Sequence, residues 1–313
     1  MDSLTGRLGT RFLVVTVVPN ILLLGYLGFL LAAGAPTRQP SLMRAIKALD
    51  GLSVREIIAI LLLVLILSVA THPLQTPLIK LMEGYWHGLP FGSAAQRRLS
   101  TRFREDLRDS PSRRPEQGPS GSADEQAADA VRRRHWLPEE ETELLPTVLG
   151  NTLTAGEHRA GERYGLELDN AWPRMRPLVS AASLDDLRDR RNQLDAAARL
   201  CLVTGLATVV GLGLLLWHGS WLFLPVVTYV FCWACYRAAI AAAQGYSNSL
   251  AAAVDLHHLQ IFDALALDRP ANLAEEYERN TETLDFLFRG ELPREEMREL
   301  RYRTPKPGKP PAE

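Results

Sequence analysis

The sequence predicts an all-α integral membrane protein with about four transmembrane helices and a long cytoplasmic helical extension of the last two. Three observations predict it. Residues 200–236 contain no Asp, Glu, Lys or Arg, and the centre of that run, Trp217-His218-Gly219-Ser220-Trp221, reads as a tight turn flanked by the aromatics that favour membrane interfaces. Two further charge-free runs, 12–37 and 57–79, are each long enough to cross a hydrocarbon core of about 30 Å as helices. Highly charged segments alternate with these runs, so a mean hydropathy near zero describes neither part.

The first run belongs to an N-terminal segment, 1–37. It follows Arg7 and Arg11 and closes near Ala33-Gly34-Ala35, the outline of a cleavable leader. A leader core has about 7 to 15 apolar residues, and this run is longer and contains Pro19, so a retained span is expected. Thr16 and Asn20 place polar groups inside it. In the loop 38–56, Leu42, Ala45, Ile46 and Leu49 recur at helical spacing with Arg44 and Lys47 between them, which predicts an amphipathic helix in the outer headgroup layer. The second span and its anchor, 57–86, meets His72-Pro73 and Thr76-Pro77, where proline removes a backbone donor and predicts a kink or stop. Tyr85 and Trp86 anchor its end.

A basic, disordered linker is expected over 87–135, because from Glu105 to Ala130 the chain has almost no large apolar residue. Within it Arg97, Arg98, Arg102 and Arg104 follow a span closely and suit anionic lipid headgroups, each near-surface charge contributing about 1 kcal/mol. The next element, 136–182, is expected to be helical and cytoplasmic or interfacial. Leu149, Leu153, Ala160 and Tyr164 form one stripe, Gly165 terminates it, and Gly150, Gly156 and Gly161 imply close packing that offsets about 1 kcal/mol each in helix propensity. Residues 171–177 read as a Pro-punctuated loop. In 183–269, Ser183 and Asp186 read as a cap, Leu184, Leu187, Leu194 and Ala198 as an apolar stripe, and the helix after the hairpin meets no breaker before Pro270. Its positions Leu250, Ala253 and His257 follow coiled-coil spacing, which predicts an antiparallel stalk. The segment 270–303 is helical from a cap at Asn272 to Gly290, and 304–313 is a disordered tail.

Arginine outnumbers lysine 31 to 4, a bias that GC-rich coding explains better than nucleic-acid binding, since no basic face accompanies it. The basic residues flanking the spans, Arg7 and Arg11, Arg97 to Arg104, and Arg188 to Arg199, place the N-terminus and C-terminus in the cytoplasm. Cys201, Cys232 and Cys235 all fall inside spans and predict no disulfide framework. Cys232-Trp-Ala-Cys235 has redox-motif spacing in the wrong setting, an apolar helix, although folding the hairpin brings Cys201 near the depth of Cys235.

No catalytic residue, metal site or cofactor is expected. Candidate binding groups are the polar face Glu157, His158, Arg159 and Arg163, and the pair Asp255 and His258, which share a helix face. Thr16, Asn20, Thr204 and Thr208 are candidate pore-lining or interhelical groups. Leu149-Gly150-Asn151, Arg159-Ala-Gly161, Arg163-Tyr164-Gly165-Leu166, Trp172-Pro173-Arg174, Phe262-Asp263 and the segment from His72 to Trp86 resemble a group of functionally uncharacterised multi-pass membrane proteins of high-GC Gram-positive bacteria. The resemblance implies a bacterial plasma membrane and carries no activity. The expected function is a non-enzymatic scaffold or signalling component that self-associates and presents a cytoplasmic helical surface to a protein partner. The alternatives are an oligomeric channel or pore and an interfacial membrane enzyme using the 157–163 face. The expected contacts are the lipid bilayer, with anionic lipids at the basic segment, and no nucleic acid.

Overall fold

The computed structural model describes residues 17–71, 73, 75–86, 92–109 and 129–290. Among them the secondary structure is helical, with no β-strand. In chain order the helices are α1 (Val18–Ala33), α2 (Leu42–Asp50), α3 (Val54–Thr71), α4 (Gln75–Glu83), α5 (Gly92–Asp109), α6 (Val148–Glu162), α7 (Leu168–Met175), α8 (Ala181–Leu215), α9 (Phe223–His257), α10 (Gln260–Ala264), α11 (Leu273–Arg279) and α12 (Asp285–Arg289). A further helical stretch covers 129–134. Cα packing divides the chain into two compact units. The first comprises Met1–Glu105, Leu144–Asn151 and Asp189–Ala243, and the second Asp106–Glu143, Thr152–Arg188 and Gln244–Glu313.

The helices Ala181–Leu215 and Gly219–His257 are long and apolar enough to cross a membrane. The pair formed by α2 and α3 is bent by 103° at a short break and adds a third span if taken as one. Among the described residues the expected four spans are therefore seen as two, or three. α1 has 16 residues, about 24 Å of helix against a core of about 30 Å, and the start of its apolar run, Thr16 included, lies outside the described residues. α3 ends at Thr71 and a new helix starts at Gln75, as the two prolines predict.

In the first unit, α1 packs on α2 and α3. Its end is fixed by Gly34 at φ 108°, where Ala35 N donates to Leu30 O and closes a Schellman turn. Arg44 of α2 donates to Ala33 O at 2.9 Å, so a cation meets a terminal carbonyl of α1. α2 is the amphipathic helix that its spacing predicts, and Leu42, Met43, Ile46 and Leu49 stay exposed. Leu30, Ala35 and Leu215 form a buried cluster with Phe29 and Trp221 against it. The Tyr26 ring approaches α8 where only glycine leaves room, since a Cβ on Gly211 would lie 2.2 Å from its hydroxyl oxygen. The hairpin closes through Thr208 Oγ1, which donates to Thr228 Oγ1 at 2.9 Å, and through Cys201 Sγ, 3.7 Å from Cys232 Sγ. Cys201 thus meets Cys232, one turn from the Cys235 expected at its depth.

In the second unit a single apolar core gathers Tyr164, Met175, Leu187, Leu250, Val254 and Phe262 with their neighbours. Burial of a side chain such as Phe262, 2% exposed, contributes about 2–3 kcal/mol. Three expectations are corrected here. Residues 171–175 are helix and only 176–177 turn: α7 runs through Pro173 because Leu168, Ala171 and Met175 bury one face at helical spacing, and packing outweighs a lost backbone bond. The cap of α8 is Ser180, not Ser183, since Ser180 Oγ accepts from Ser183 N at 3.2 Å. α9 stops at His257, short of Pro270, where His258 turns its ring to Glu276.

The expected disordered linker is also corrected in part. α5 is helical over Gly92–Asp109, where Leu99, Phe103 and Leu107 recur every four residues with Ala94 and Ala95 in support and no proline between them. Residues 110–128 and the tail 304–313 lie outside the described set. Asn272 caps α11 as expected, accepting from Glu275 N at 3.0 Å, and Gly290 at φ 76° closes the last helix.

Candidate functional site

The second unit holds two polar clusters. The first surrounds a cavity of about 160 Å³ between the stretch 129–143 and α6. The capping of α6 orders its start, and its turns then place Ala155, His158, Arg159 and Glu162 on one side at i, i+3, i+4 and i+7. Leu107, Leu137 and Pro138 supply apolar wall, and Arg134, His135 and Glu139 add polar groups.

Arg159 is the best-fixed of these. Its Nε donates to Ala155 O at 2.9 Å, its Nη1 contacts His135 Nε2, and its guanidinium lies 4.7 Å from the Trp136 ring centroid. Because arginine can only donate, His135 Nε2 accepts and the ring is neutral with its proton on Nδ1. Burial, with the Arg159 charge beside it, pushes the His135 pKa down, and burial also lowers that of Arg159. Glu162 shifts the other way: burial raises its carboxyl, and Glu139 raises it further through its charge and a hydrogen bond. His158 Nδ1 lies 3.1 Å from Glu143 Oε2.

A His held below its ordinary 6.5 takes up its proton more readily in the unfolded chain, so stability falls as pH drops below that value. A carboxyl held above its ordinary 4.5 retains its proton in the folded chain, so that contribution is lost as pH rises through the folded value. His135→Gln is expected to remove the acid-side loss and Glu162→Gln the opposite one. Hydrogen exchange over 136–162 as a function of pH, corrected for intrinsic rates, checks both.

The second cluster joins α6, α9 and α11. Tyr164 donates its hydroxyl to Asp255 Oδ1 at 2.8 Å, and Arg163 Nη1 lies 3.6 Å from the same oxygen. The Tyr164 ring stacks on His258 with centroids 3.9 Å apart. His258 Nδ1 meets Glu276 Oε1 at 2.5 Å, and Asn280 Nδ2 donates to Tyr164 O at 2.7 Å. Glu276 and Asn280 are buried. Burial, then the bond to Asp255, raises the Tyr164 hydroxyl pKa. Ser180 N donates to His257 Nε2 at 3.1 Å while His257 Nδ1 donates to Ala253 O. Asn280 Oδ1 is buried without a hydrogen-bond partner; the other contacts act as polar staples within the fold.

The expected 157–163 face is therefore divided. His158 and Arg159 enter the cavity, Arg163 turns to Asp255, and Glu157 is exposed. Asp255 and His258 come together, but through Tyr164, which the apolar stripe had claimed. Sequence reasoning missed His135, Trp136 and Glu139, which fall at the edge of a segment read as a linker, and Glu276, which reads as an ordinary first-turn acid. The i, i+4 pair Glu276 and Asn280 ahead of buried Leu284 was the available signal.

In the first unit, Asn20 Nδ2 donates to Ser68 Oγ at 3.0 Å between α1 and α3, and both residues are buried. Thr204 Oγ1 donates to Leu200 O at 2.6 Å, and Thr208 bonds across the hairpin. Thr16 lies outside the described residues. Arg97, Arg98 and Arg102 are exposed on α5, and Arg104 is half-buried. Among the described residues no group of three or more His, Cys, Asp or Glu is placed to hold a metal ion. No family model, curated protein or solved structure matches this chain.

Proposed function

We propose that this protein is a non-enzymatic, multi-pass membrane scaffold or signalling component that self-associates through the helical surface of its second unit. The observation that carries the reading is an exposed apolar pair on an otherwise polar unit. Leu273 and Tyr277 are 50% and 47% exposed and sit four residues apart on one face of α11, with Leu256 also exposed at 72% on the same unit. Apolar surface of this kind marks interaction sites. The stripe through Leu250 and His257, which its spacing offered as the face of an antiparallel stalk, is buried inside the unit, so α11 supplies the exposed surface. In this reading four spans place both termini and the second unit in the cytoplasm of a bacterial cell, as the arginine distribution and the family resemblance support.

The engagement of Asn20, Thr204 and Thr208 in bonds within one chain favours a scaffold over an oligomeric pore, which needs such groups facing a lumen. The hydroxyl, imidazole and carboxylates of the second cluster are engaged with one another, which favours it over an enzyme. The test is particle mass in detergent, with bound detergent and lipid subtracted. The wild type is expected as a dimer or larger, and Leu273→Glu with Tyr277→Glu as a monomer of unchanged helix content. A monomeric wild type, or an unchanged variant, overturns the reading.

A further inference from the structure

We infer that the cavity between the 129–143 stretch and α6 binds a small monocarboxylate of about four to six carbons. This goes beyond the scaffold reading and stands independently of it, since neither Leu273 nor Tyr277 lines the cavity.

Size sets the first limit. A cavity of about 160 Å³ is close to the roughly 150 Å³ that takes benzene, so six to nine non-hydrogen atoms fill it. Leu107, Leu137 and Pro138 give a short alkyl body apolar contact, while the polar lining excludes a purely apolar occupant.

Charge sets the second. Among the described residues Arg159 has no carboxylate in salt-bridge contact: its Nε is used by Ala155 O, its Nη1 faces a neutral imidazole and its plane packs on Trp136. This fixes the fork without neutralising it. A guanidinium partly removed from water and held without a salt-bridge partner recognises a carboxylate through charge-assisted hydrogen bonds. Trp136 restricts the rotation that would otherwise oppose binding. Glu162 is the nearest acid and its charge acts on Arg159, but among the described residues it forms no salt bridge with it and its hydrogen bond goes to Glu139, while Arg134 lines the same cavity.

Size and charge together exclude the other small ligands. An inorganic phosphate leaves the apolar wall unfilled, and an organic cation meets two guanidinium groups.

The test uses the full chain in nanodiscs and butyrate as the probe, with saturation-transfer NMR and calorimetric titration. Saturable butyrate binding is expected. Arg159→Gln is expected to weaken it at least about tenfold, the loss of one charged hydrogen-bonding pair, and Arg159→Lys to weaken it less. Glu162→Gln is expected to strengthen it by removing the nearest negative charge. Arg108→Gln, which breaks an exposed pair with Glu141 outside the cavity, is expected to leave it unchanged. Absence of saturable binding up to about 10 mM, equal to a binding energy below roughly 3 kcal/mol, overturns the inference. So does tighter binding of choline or inorganic phosphate than of butyrate, or an unchanged affinity in a folded Arg159→Gln. Because particle mass is not read here, failure of this site leaves the self-association result intact, and the reverse also holds.

Discussion

Glu276→Ala is expected to destabilise the second unit by about 2–3 kcal/mol. Glu276 is 3% exposed, and its Oε1 meets His258 Nδ1 at 2.5 Å. Removing the carboxylate leaves the imidazole donor facing a cavity with no acceptor, and a buried unpaired polar group costs more than the intact bond contributed. The cost spreads, because His258 stacks on Tyr164, Tyr164 bonds Asp255, and Asn280 bonds Tyr164 O. Loss of hydrogen-exchange protection is therefore expected in α11 and at the end of α9 together, not in α11 alone. Glu276→Gln keeps an acceptor at the same place and should recover at least half of the loss. Glu275→Ala provides the contrast: that carboxylate accepts from Ala271 N and pairs with Arg279 at the surface, so its loss is expected to cost about 0.5–1 kcal/mol. Equal stability of the two alanine variants would mean that the Glu276–His258 pair does not hold the unit.

What the sequence made legible was whatever rested on period and punctuation. The hairpin about Gly219, the helix from Val148, the amphipathic α2, the Asn272 cap and the break after Thr71 each follow from apolar spacing or from a residue that forbids continuation. The misreadings share a cause. Pro173 and the charged run before Ala130 were judged by composition, yet Met175 and Leu107 are buried, and a few apolar contacts outweigh local propensity. The end of α9 had no local signal either: His257 and His258 stop it through bonds to Ser180 and Glu276, residues far away in the chain. The candidate site was half legible for the same reason. A polar helix face identifies His158, Arg159 and Arg163 as available, but only the fold decides that Trp136 holds one and Asp255 another.

Gly150→Ala is expected to destabilise the first unit by about 2 kcal/mol despite the better helix former. A Cβ at this position would lie 2.0 Å from Glu83 O, 2.9 Å from Glu83 C and 2.8 Å from Leu145 Cδ1. The first two are backbone atoms, so no rotamer change relieves the overlap. Thr147 Oγ1 donates to the same Glu83 carbonyl at 2.7 Å and accepts from Gly150 N at 3.0 Å. One hydroxyl therefore caps the start of α6 and satisfies a terminal carbonyl of α4, and it holds the two helix ends at a separation that only glycine permits. Moving α6 outward to fit a methyl group breaks that bond and strains the bidentate contact of Asn151 with Leu145, at 2.7 and 3.0 Å. The gain in helix propensity is about 1 kcal/mol, whereas overpacking costs about 1–3 kcal/mol and the weakened bonds add about 1 each. Gly213→Ala is the matched control, because no neighbouring atom would lie within 4 Å of a Cβ there, and it is expected to stabilise by up to about 1 kcal/mol. Thermal unfolding in one detergent compares the two variants. If Gly150→Ala unfolds no earlier than Gly213→Ala, the close approach of α6 to α4 is wrong.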